Sequence, residues 1–304
     1  MKKNRLGKSE LEVTEIGLGC MSLGTDMASG VALIHEALER GIRFLDTADL
    51  YDEGRNEEIV GEALRGRRSG VILATKVGNR REPGKPGWTW DPSKAYIKAA
   101  AKESLRRLRT DYIDLYQLHG GTLEDPIDET IEAFEELKRE GVIRHYGISS
   151  IRPNVIREYA RRSNIVSVMS QYSVMDRRPE ESVLPLLSEY GIGLIARGPV
   201  AKGILTDAGE AKAADGCLDY LGSEAVSLRD ELLRISREGR YADLAHLAMR
   251  YALASPVVAT VIPGASSREQ LLVNAEAGRA RPLTARELAA IAALSKRGVY
   301  EQHR

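Results

Sequence analysis

The sequence has few features of a secreted, membrane-spanning or nucleic-acid-binding protein. Its two cysteines, Cys20 and Cys217, are too few for a disulfide framework or a thiolate metal site, so we expect both to be structural and no metal to be bound. No stretch approaches the ~18 to 20 apolar residues of a membrane span, and the start of the chain lacks the apolar core of a signal peptide. The 44 basic and 44 acidic side chains cancel, which disfavours nucleic-acid and anionic-membrane partners. These absences predict a cytoplasmic protein.

The rest of the composition is typical of a soluble globular protein. Hydrophobic residues make up 43% and charged residues 29% of the 304 positions, enough to bury a sizeable core. No low-complexity linker or abrupt change of composition divides the chain. We therefore predict a single domain over residues 1–304, with a long loop or insertion around residues 207–216.

Short apolar runs alternate with segments of helical period along the whole chain. The runs predict eight strands, at Thr14–Leu18, Arg43–Leu45, Val71–Thr75, Tyr112–Leu118, Val142–Ile148, Val166–Ser170, Gly193–Ala196 and Val257–Ile262. The helical segments are Gly30–Arg40, Asn56–Leu64, Ser93–Leu108, Ile127–Arg139, Pro153–Arg161, Pro179–Tyr190, Tyr241–Leu253, Arg268–Ala277 and Ala285–Leu294. Eight such units fit a closed (β/α)8 TIM barrel of the α/β class, with an N-terminal β-hairpin and extra C-terminal helices, better than an open doubly wound sheet.

The early glycines, in IGLGCMSLGT at 16–25, do not match the dinucleotide-binding fingerprint of a doubly wound sheet. Their spacing is one residue too long for G-x-G-x-x-G, and no acidic residue after the second strand is placed for a ribose. We expect these glycines instead to let the backbone approach a ligand at the barrel mouth.

Four chemically active side chains follow successive strands of this barrel. Asp46 and Tyr51 come after the second strand, Lys76 ends the third and His119 ends the fourth. Each alone has a structural explanation, such as a turn cap, a rim aromatic, an exposed lysine or a core histidine. Active sites of such barrels lie at the carboxyl ends of the strands, so all four are expected at one mouth. There the Asp46 carboxylate would keep a buried Lys76 ammonium charged. This ammonium would favour the phenolate of Tyr51, whose ordinary pKa is ~10, so Tyr51 could donate a proton.

These residues lie within motifs that resemble the aldo-keto reductase superfamily. The motifs run in family order: GIRFLDTADLY at 41–51 followed by Glu57 and Gly61, ATK at 74–76, SLRRLRTDYIDLYQLH at 104–119, GVIRHYGISS at 141–150, SQYSVMDR at 170–177 and VIPGASSREQLLVN at 261–274. The resemblance implies an NADP(H)-dependent reductase of aldehydes or ketones. Tyr51 would be its general acid, Lys76 with Asp46 would lower the pKa of Tyr51, and His119 would orient the substrate carbonyl.

The resemblance also implies where the cofactor binds, since none of the four residues can supply a hydride. Contacts to the nicotinamide amide are expected from Ser149, Ser150 and Gln171, with Tyr172 as a further contact. The loop ARGPVAKGIL at 196–205 resembles one that wraps the pyrophosphate, which gives as its candidates Arg197, Gly198, Pro199, Val200 and Lys202.

The last motif leads from a strand into a helix whose N-terminus offers free N–H groups and a positive dipole end to a phosphate. Gly264, Ser266 and Arg268 are placed for the adenosine 2′-phosphate, while Gln270 and Asn274 lie one turn apart and are placed for the adenine edge. Many relatives have a basic residue at the position of Ser266 and Asn at that of Ser150. We expect NADPH to be preferred over NADH.

Two other functions use the same barrel. One is a non-catalytic cofactor-sensing subunit like the potassium-channel β-subunits, and the other is a lyase with Lys76 as Schiff-base nucleophile. Trp88 and Trp90 either line the substrate pocket or cover the barrel edge. The basic clusters at 65–68, 106–109 and 161–163 are expected to be solvated helix ends.

Overall fold

Eight short parallel strands form one sheet at the centre of the structure, a computed structural model that describes residues 1–81, 84 and 87–304. In chain order the strands of the described residues are β1 (Lys3–Arg5), β2 (Glu12–Thr14), β3 (Leu18–Gly19), β4 (Phe44–Asp46), β5 (Ile72–Val77), β6 (Asn79–Arg80), β7 (Thr89–Trp90), β8 (Ile113–Leu118), β9 (Ile143–Ser149), β10 (Ser167–Gln171), β11 (Gly193–Arg197) and β12 (Val258–Ile262). β1 pairs with β2 and β6 with β7 as antiparallel hairpins, and the other eight pair in chain order. Seven predicted barrel strands and the N-terminal hairpin are confirmed, and the first predicted strand overlaps both β2 and β3.

Backbone hydrogen bonds between the first and last strand regions close the sheet into a barrel. Gly17 N–H donates to the Val261 carbonyl at 2.9 Å and Gly19 N–H donates to the Pro263 carbonyl at 3.1 Å. A Cβ on Gly17 would lie 2.7 Å from the Phe44 ring, so this position has no room for a side chain. Gly17 and Gly19 therefore contribute to barrel closure, and the expectation that the early glycines admit a ligand stays a prediction.

Helices surround the barrel on its outer side. Among the described residues they are α1 (Met27–Glu39), α2 (Arg55–Ala63), α3 (Lys94–Leu108), α4 (Ile127–Arg139), α5 (Pro153–Arg162), α6 (Pro179–Tyr190), α7 (Glu210–Ala213), α8 (Gly222–Glu238), α9 (Leu244–Ala252), α10 (Arg268–Glu276) and α11 (Ala285–Leu294). All nine predicted helices are present, and α10 and α11 confirm the helices expected after the last strand. No described helix is long and apolar enough to cross a membrane.

The prediction differs from the structure in three places. The helix α8 was not expected, although its buried positions Ala225, Leu228, Leu232 and Ile235 have helical spacing. Residues 207–216 contain the short helix α7 and are not wholly a loop. The first predicted strand is divided, because its start, Thr14, ends the hairpin strand β2.

Two apolar clusters hold the fold together. One fills the space between the strands and the helices, and the other fills the barrel interior. The interior cluster contains Leu6, Leu11 and Val13 from the N-terminal hairpin, which covers the bottom of the barrel, together with Phe44 and Ala74. Since side chains two apart on a strand point to the same side, the residues after this apolar layer also point inward at the mouth.

The basic clusters do not consist only of solvated arginines. Arg68 donates to the buried Asp114 carboxylate at 2.7 Å, and Arg107 donates to the buried Glu57 carboxylate at 2.7 Å. The prediction of solvated helix ends is wrong for these two arginines, because each neutralises a carboxylate on another element.

Candidate active site

Asp46, Tyr51 and Lys76 meet at the barrel mouth around the Lys76 ammonium. Lys76 follows Ala74 by two positions on β5, and Asp46 follows Phe44 by two on β4, so both extend the inward-facing layer. Lys76 Nζ donates to Asp46 Oδ2 at 2.7 Å, to the Thr47 carbonyl at 2.8 Å and to Tyr51 Oη at 3.1 Å. Its three N–H groups are thereby satisfied, although the residue is fully buried.

The charges of this cluster follow from burial and from the Lys76 ion pair. Burial raises the pKa of Asp46, and hydrogen bonds from Lys76 and Gln117 oppose that rise. Burial alone would lower the pKa of Lys76, but Asp46 and Tyr51 raise it above its ordinary value, so the ammonium stays charged at neutral pH.

The phenol of Tyr51 is subject to opposing effects. Burial raises the pKa of Tyr51, the Lys76 ammonium lowers it, and the Asp46 carboxylate raises it again. The net direction is upward, so the expectation of a lowered pKa is wrong for this structure because burial outweighs Lys76. At neutral pH Tyr51 is therefore a protonated phenol that accepts a hydrogen bond from Lys76 and keeps its own O–H for another acceptor.

Gln117 is a site residue that the sequence reasoning missed. Its Nε2 donates to Asp46 Oδ1 at 3.3 Å, and it pairs directly with Lys76 in the register of β5 and β8. Asp46 is thus held through both carboxylate oxygens. The signal was available, since Gln117 stands two positions before His119 and shares the inward side of the strand.

His119 lies at the end of β8 with its ring edge-on to Tyr51, at 6.0 Å between ring centroids. Burial, with the positive charges of Lys76 and Arg197, lowers the pKa of His119 to about 3. Its imidazole is therefore neutral at neutral pH. Its buried Nδ1 has no hydrogen-bond partner among the described residues.

The ends of β9, β10 and β11 bring the three predicted nicotinamide contacts and Arg197 to the same mouth. Gln171 and Arg197 are paired in the strand register, and Arg197 Nη1 donates to Gln171 Oε1 at 3.1 Å. Ser149 ends β9, while the buried Ser150 Oγ accepts from the N–H of Arg152 at 3.2 Å. Burial lowers the pKa of Arg197, and within the described chain this guanidinium forms no ion pair. A partly buried cation of this kind suits an anionic ligand.

The predicted pyrophosphate loop follows β11 directly. Gly198 is exposed with φ at 66°, and a Cβ there would approach only Gln171 Cγ, at 3.8 Å, so the backbone is open to a ligand. Pro199 is buried, Val200 packs on the outer core and Lys202 is exposed with φ at 57°.

The N-terminus of α10 carries the residues expected at the adenosine end. Gln270 Oε1 accepts from both N–H and Oγ of Ser266, at 2.9 and 3.1 Å. The exposed Arg268 faces Glu36 of α1, with Nε 3.3 Å from Oε2. Asn274 is buried and its Nδ2 donates to the carbonyl of the exposed Gly264 at 3.0 Å, so that amide positions the loop before the helix.

The structure places the three aromatic residues that the sequence suggested near the site. Tyr172 is buried against Tyr251 and its hydroxyl donates to Glu180 at 3.0 Å, so this end of the side chain is bonded within the core. The Trp90 ring lies against Gly78 and Gly120, where added Cβ atoms would be 2.5 and 3.2 Å from it, so it lies beside the segments that follow Lys76 and His119. Trp88 is 53% exposed.

The donor set at the mouth suits a nicotinamide dinucleotide. No cluster of metal-ligating side chains occurs within residues 1–81, 84 and 87–304. The unneutralised Arg197, the open Gly198 and the N-terminus of α10 together offer cationic and N–H groups along one edge of the mouth, as two separated phosphates require.

Comparisons with known proteins give a consistent result. The model of the Aldo/keto reductase family matches residues 15–296. The chain is 56% identical to the "Uncharacterized oxidoreductase YqkF" of Bacillus subtilis (strain 168), covering 100% of both chains. Among solved structures it resembles the holo form of aldo-keto reductase AKR11C1 from Bacillus halodurans, with a TM-score of 0.94, 59% identity, and 100% and 99% of the chains covered. An aldo/keto reductase from Klebsiella pneumoniae in complex with NADP and acetate has a TM-score of 0.79 and 28% identity, over 96% of this chain and 95% of that one.

Proposed function

Because the chain belongs to the aldo/keto reductase family of oxidoreductases, we propose that it reduces aldehydes or ketones to alcohols with NADPH, using Tyr51 as general acid. One observation carries the proposal. The Lys76 ammonium lies 2.7 Å from Asp46 and 3.1 Å from Tyr51 Oη, at the carboxyl ends of two barrel strands.

The geometry suits proton donation by Tyr51 to a carbonyl oxygen. Lys76 already donates to Tyr51 Oη, so the phenolic O–H is directed to another acceptor at the mouth. As the carbonyl oxygen gains negative charge it takes this proton, and the phenolate left behind is stabilised by the ammonium 3.1 Å away. The raised pKa of Tyr51 keeps the acid protonated before the reaction, and Lys76 stabilises the charge that develops during it.

His119 acts in this proposal as a neutral hydrogen-bonding group. With its pKa lowered to about 3, it is a neutral imidazole at neutral pH, whose remaining N–H is a hydrogen-bond donor and a poor acid. The imidazole therefore orients the carbonyl oxygen towards Tyr51, which leaves Tyr51 as the proton donor. This observation supports Tyr51 as the proton donor in the proposal.

The nicotinamide, when bound, supplies the hydride that no side chain can supply. Ser149, Ser150 and Gln171 would hold its amide. The pyrophosphate would be held by Arg197, Gly198, Pro199, Val200 and Lys202. At the adenosine end, Gly264, Ser266 and Arg268 would contact the 2′-phosphate, with Gln270 and Asn274 beside the adenine. An arriving phosphate would replace the Gln270 amide oxygen at Ser266.

The test is NADPH oxidation measured with a panel of small aldehydes and ketones, run in parallel with NADH. We expect carbonyl-dependent oxidation that Tyr51→Phe abolishes. A cofactor-sensing subunit would bind NADPH without turnover. A lyase would be trapped on Lys76 by borohydride with a carbonyl compound, an outcome that the Asp46 ion pair opposes by keeping the amine protonated.

A further inference from the structure

We infer that the buried ion pair between Glu57 and Arg107 is a positioning pair, which fixes the distance between Lys76 Nζ and Tyr51 Oη without touching substrate. The effect of the pair on catalysis rests on the proposed function, whereas its effect on that distance does not. Neither residue belongs to the four-residue cluster at the mouth.

Glu57 connects two other elements from the first turn of α2. It is 0% exposed, and each of its carboxylate oxygens has a separate partner. Oε1 accepts from Thr75 Oγ1 at 2.6 Å, and Oε2 accepts from Arg107 Nε of α3 at 2.7 Å. Thr75 immediately precedes Lys76 on β5, so the Glu57 carboxylate is hydrogen-bonded to the residue next to Lys76.

Arg107 supports the turn that carries Tyr51. Asp52, Glu53 and Gly54 follow Tyr51 with φ values of 47°, 59° and 87°, so three successive residues adopt the left-handed conformation. Such backbone is sparsely populated for residues other than glycine and persists where its surroundings hold it. A Cβ on Gly54 would lie 2.8 Å from Arg107 Cδ and 3.0 Å from its Nε, so the arginine side chain lies directly against this turn.

The pair therefore contacts both segments that set the distance between Lys76 Nζ and Tyr51 Oη. Through Arg107 it contacts the turn after Tyr51, and through Thr75 it contacts the strand residue before Lys76. The Lys76–Tyr51 hydrogen bond is already 3.1 Å long, so a further shift of a few tenths of an ångström weakens it strongly. A displacement of ~1 Å at a reacting group can cost on the order of 100-fold in rate.

The experiment compares Glu57→Gln and Thr75→Val with a matched control. Glu57→Gln removes the charge that holds Arg107, and Thr75→Val removes only the link to β5 and is the milder change should the first variant fold poorly. The control is Glu15→Gln, at a second buried ion pair in which Arg250 Nη1 lies 2.9 Å from Glu15 Oε2, before the first barrel strand and away from the mouth. Arg107→Lys, which keeps the cation, is the conservative rescue.

We expect kcat to fall at least ~10-fold in Glu57→Gln and several-fold in Thr75→Val, with the Kd for NADPH within about twofold of wild type. Arg107→Lys should retain more kcat than Arg107→Met. Glu15→Gln should lose thermal stability and keep kcat. An unchanged kcat in both Glu57→Gln and Thr75→Val, or an equal loss in the control, would overturn the inference.

Crystal structures of wild type and Glu57→Gln give a readout that needs no activity. We expect the Nζ–Oη distance to increase past 3.5 Å in the variant, and an unchanged distance would overturn the positioning role. If wild type reduces no carbonyl while this distance still changes, the proposed function fails and the structural role of the pair stands.

Discussion

The Lys76 ammonium and the Asp46 carboxylate form an ion pair of 2.7 Å in which both side chains are almost completely shielded from water. Removing one member of such a pair is far more costly than removing both, because it leaves an isolated buried charge.

We therefore expect Lys76→Met to lose turnover and also about 3 to 5 kcal/mol of unfolding free energy. Turnover is lost because the phenolate of Tyr51 would have no neighbouring cation. The double variant Asp46→Asn/Lys76→Met should recover most of the stability and none of the activity. Urea unfolding and initial rates measure the two effects, and a double variant as unstable as the single one would contradict this account.

Tyr51→Phe should lower kcat by ~10²-fold or more, since a positioned general acid typically contributes that much. The Kd for NADPH should stay within about twofold, because the hydroxyl is bonded to Lys76. Tyr172→Phe is the matched control, as it removes a buried hydroxyl that bonds to Glu180 and should cost stability but not rate. A Tyr51→Phe variant that keeps more than about a tenth of wild-type turnover would remove Tyr51 from the acid role.

Asp49 should make the protein less stable as the pH rises. Burial, with the nearby Glu57 carboxylate, raises the pKa of Asp49 from 3.8 to about 7, and its Oδ1 is buried without a partner among the described residues. The folded state thus binds more protons than the unfolded state between these values, so stability is full below pH ~4 and declines through pH ~7. The loss is at most about 4 kcal/mol.

Asp49→Asn should remove this dependence and stabilise the protein at pH 8 more than at pH 5, as measured by chemical unfolding at both values. Asp26→Asn is the control, because the stability that Asp26 contributes changes with pH in the opposite direction. The Asp26 carboxylate caps α1, and hydrogen bonds from the Ser29 side chain and N–H lower its pKa, so its contribution is lost as the pH falls. Equal stabilisation of Asp49→Asn at both pH values would contradict the prediction.

Arg268→Ala should raise the KM for NADPH by roughly 5- to 30-fold, which corresponds to about 1 to 2 kcal/mol for a partly shielded charge-assisted contact. The KM for NADH should change less than about twofold, because NADH has no 2′-phosphate. Glu36→Gln removes the carboxylate that faces Arg268 and should leave the KM for NADPH equal or lower. Parallel effects of Arg268→Ala on both cofactors would show that cofactor preference arises elsewhere.

The strands could be predicted from the sequence because most residues on both faces of the barrel strands are buried. Such strands appear as short apolar runs, and the polar residues that end them identified Asp46, Lys76 and His119. Gln117 was missed because it lies inside an apolar run, although its alternation with His119 identifies its side of the strand. The residues of α8 have helical spacing as well, so that omission was not imposed by the sequence.

The Glu57–Arg107 pair illustrates what the sequence did not reveal. The two residues are 50 positions apart, and each has an ordinary surface explanation on its helix. Only the packing of α2 against α3 places the arginine beside a buried carboxylate and a left-handed turn. The net direction of the Tyr51 pKa was equally inaccessible, because it depends on how much burial outweighs the effect of Lys76.

The hairpin that covers the bottom of the barrel has a consequence for synthesis of the chain. The hairpin residues 1–14 are translated before the barrel strands, yet Asn4 Nδ2 donates to the carbonyl of Ala259, and a Cβ on Gly7 would lie 2.3 Å from the Val166 carbonyl. Both partners follow the hairpin by more than 150 residues, and Ala259 belongs to β12, the last barrel strand. The hairpin therefore makes its contact with Ala259 only after β12 has been translated, so the barrel closes over its N-terminal hairpin late in synthesis.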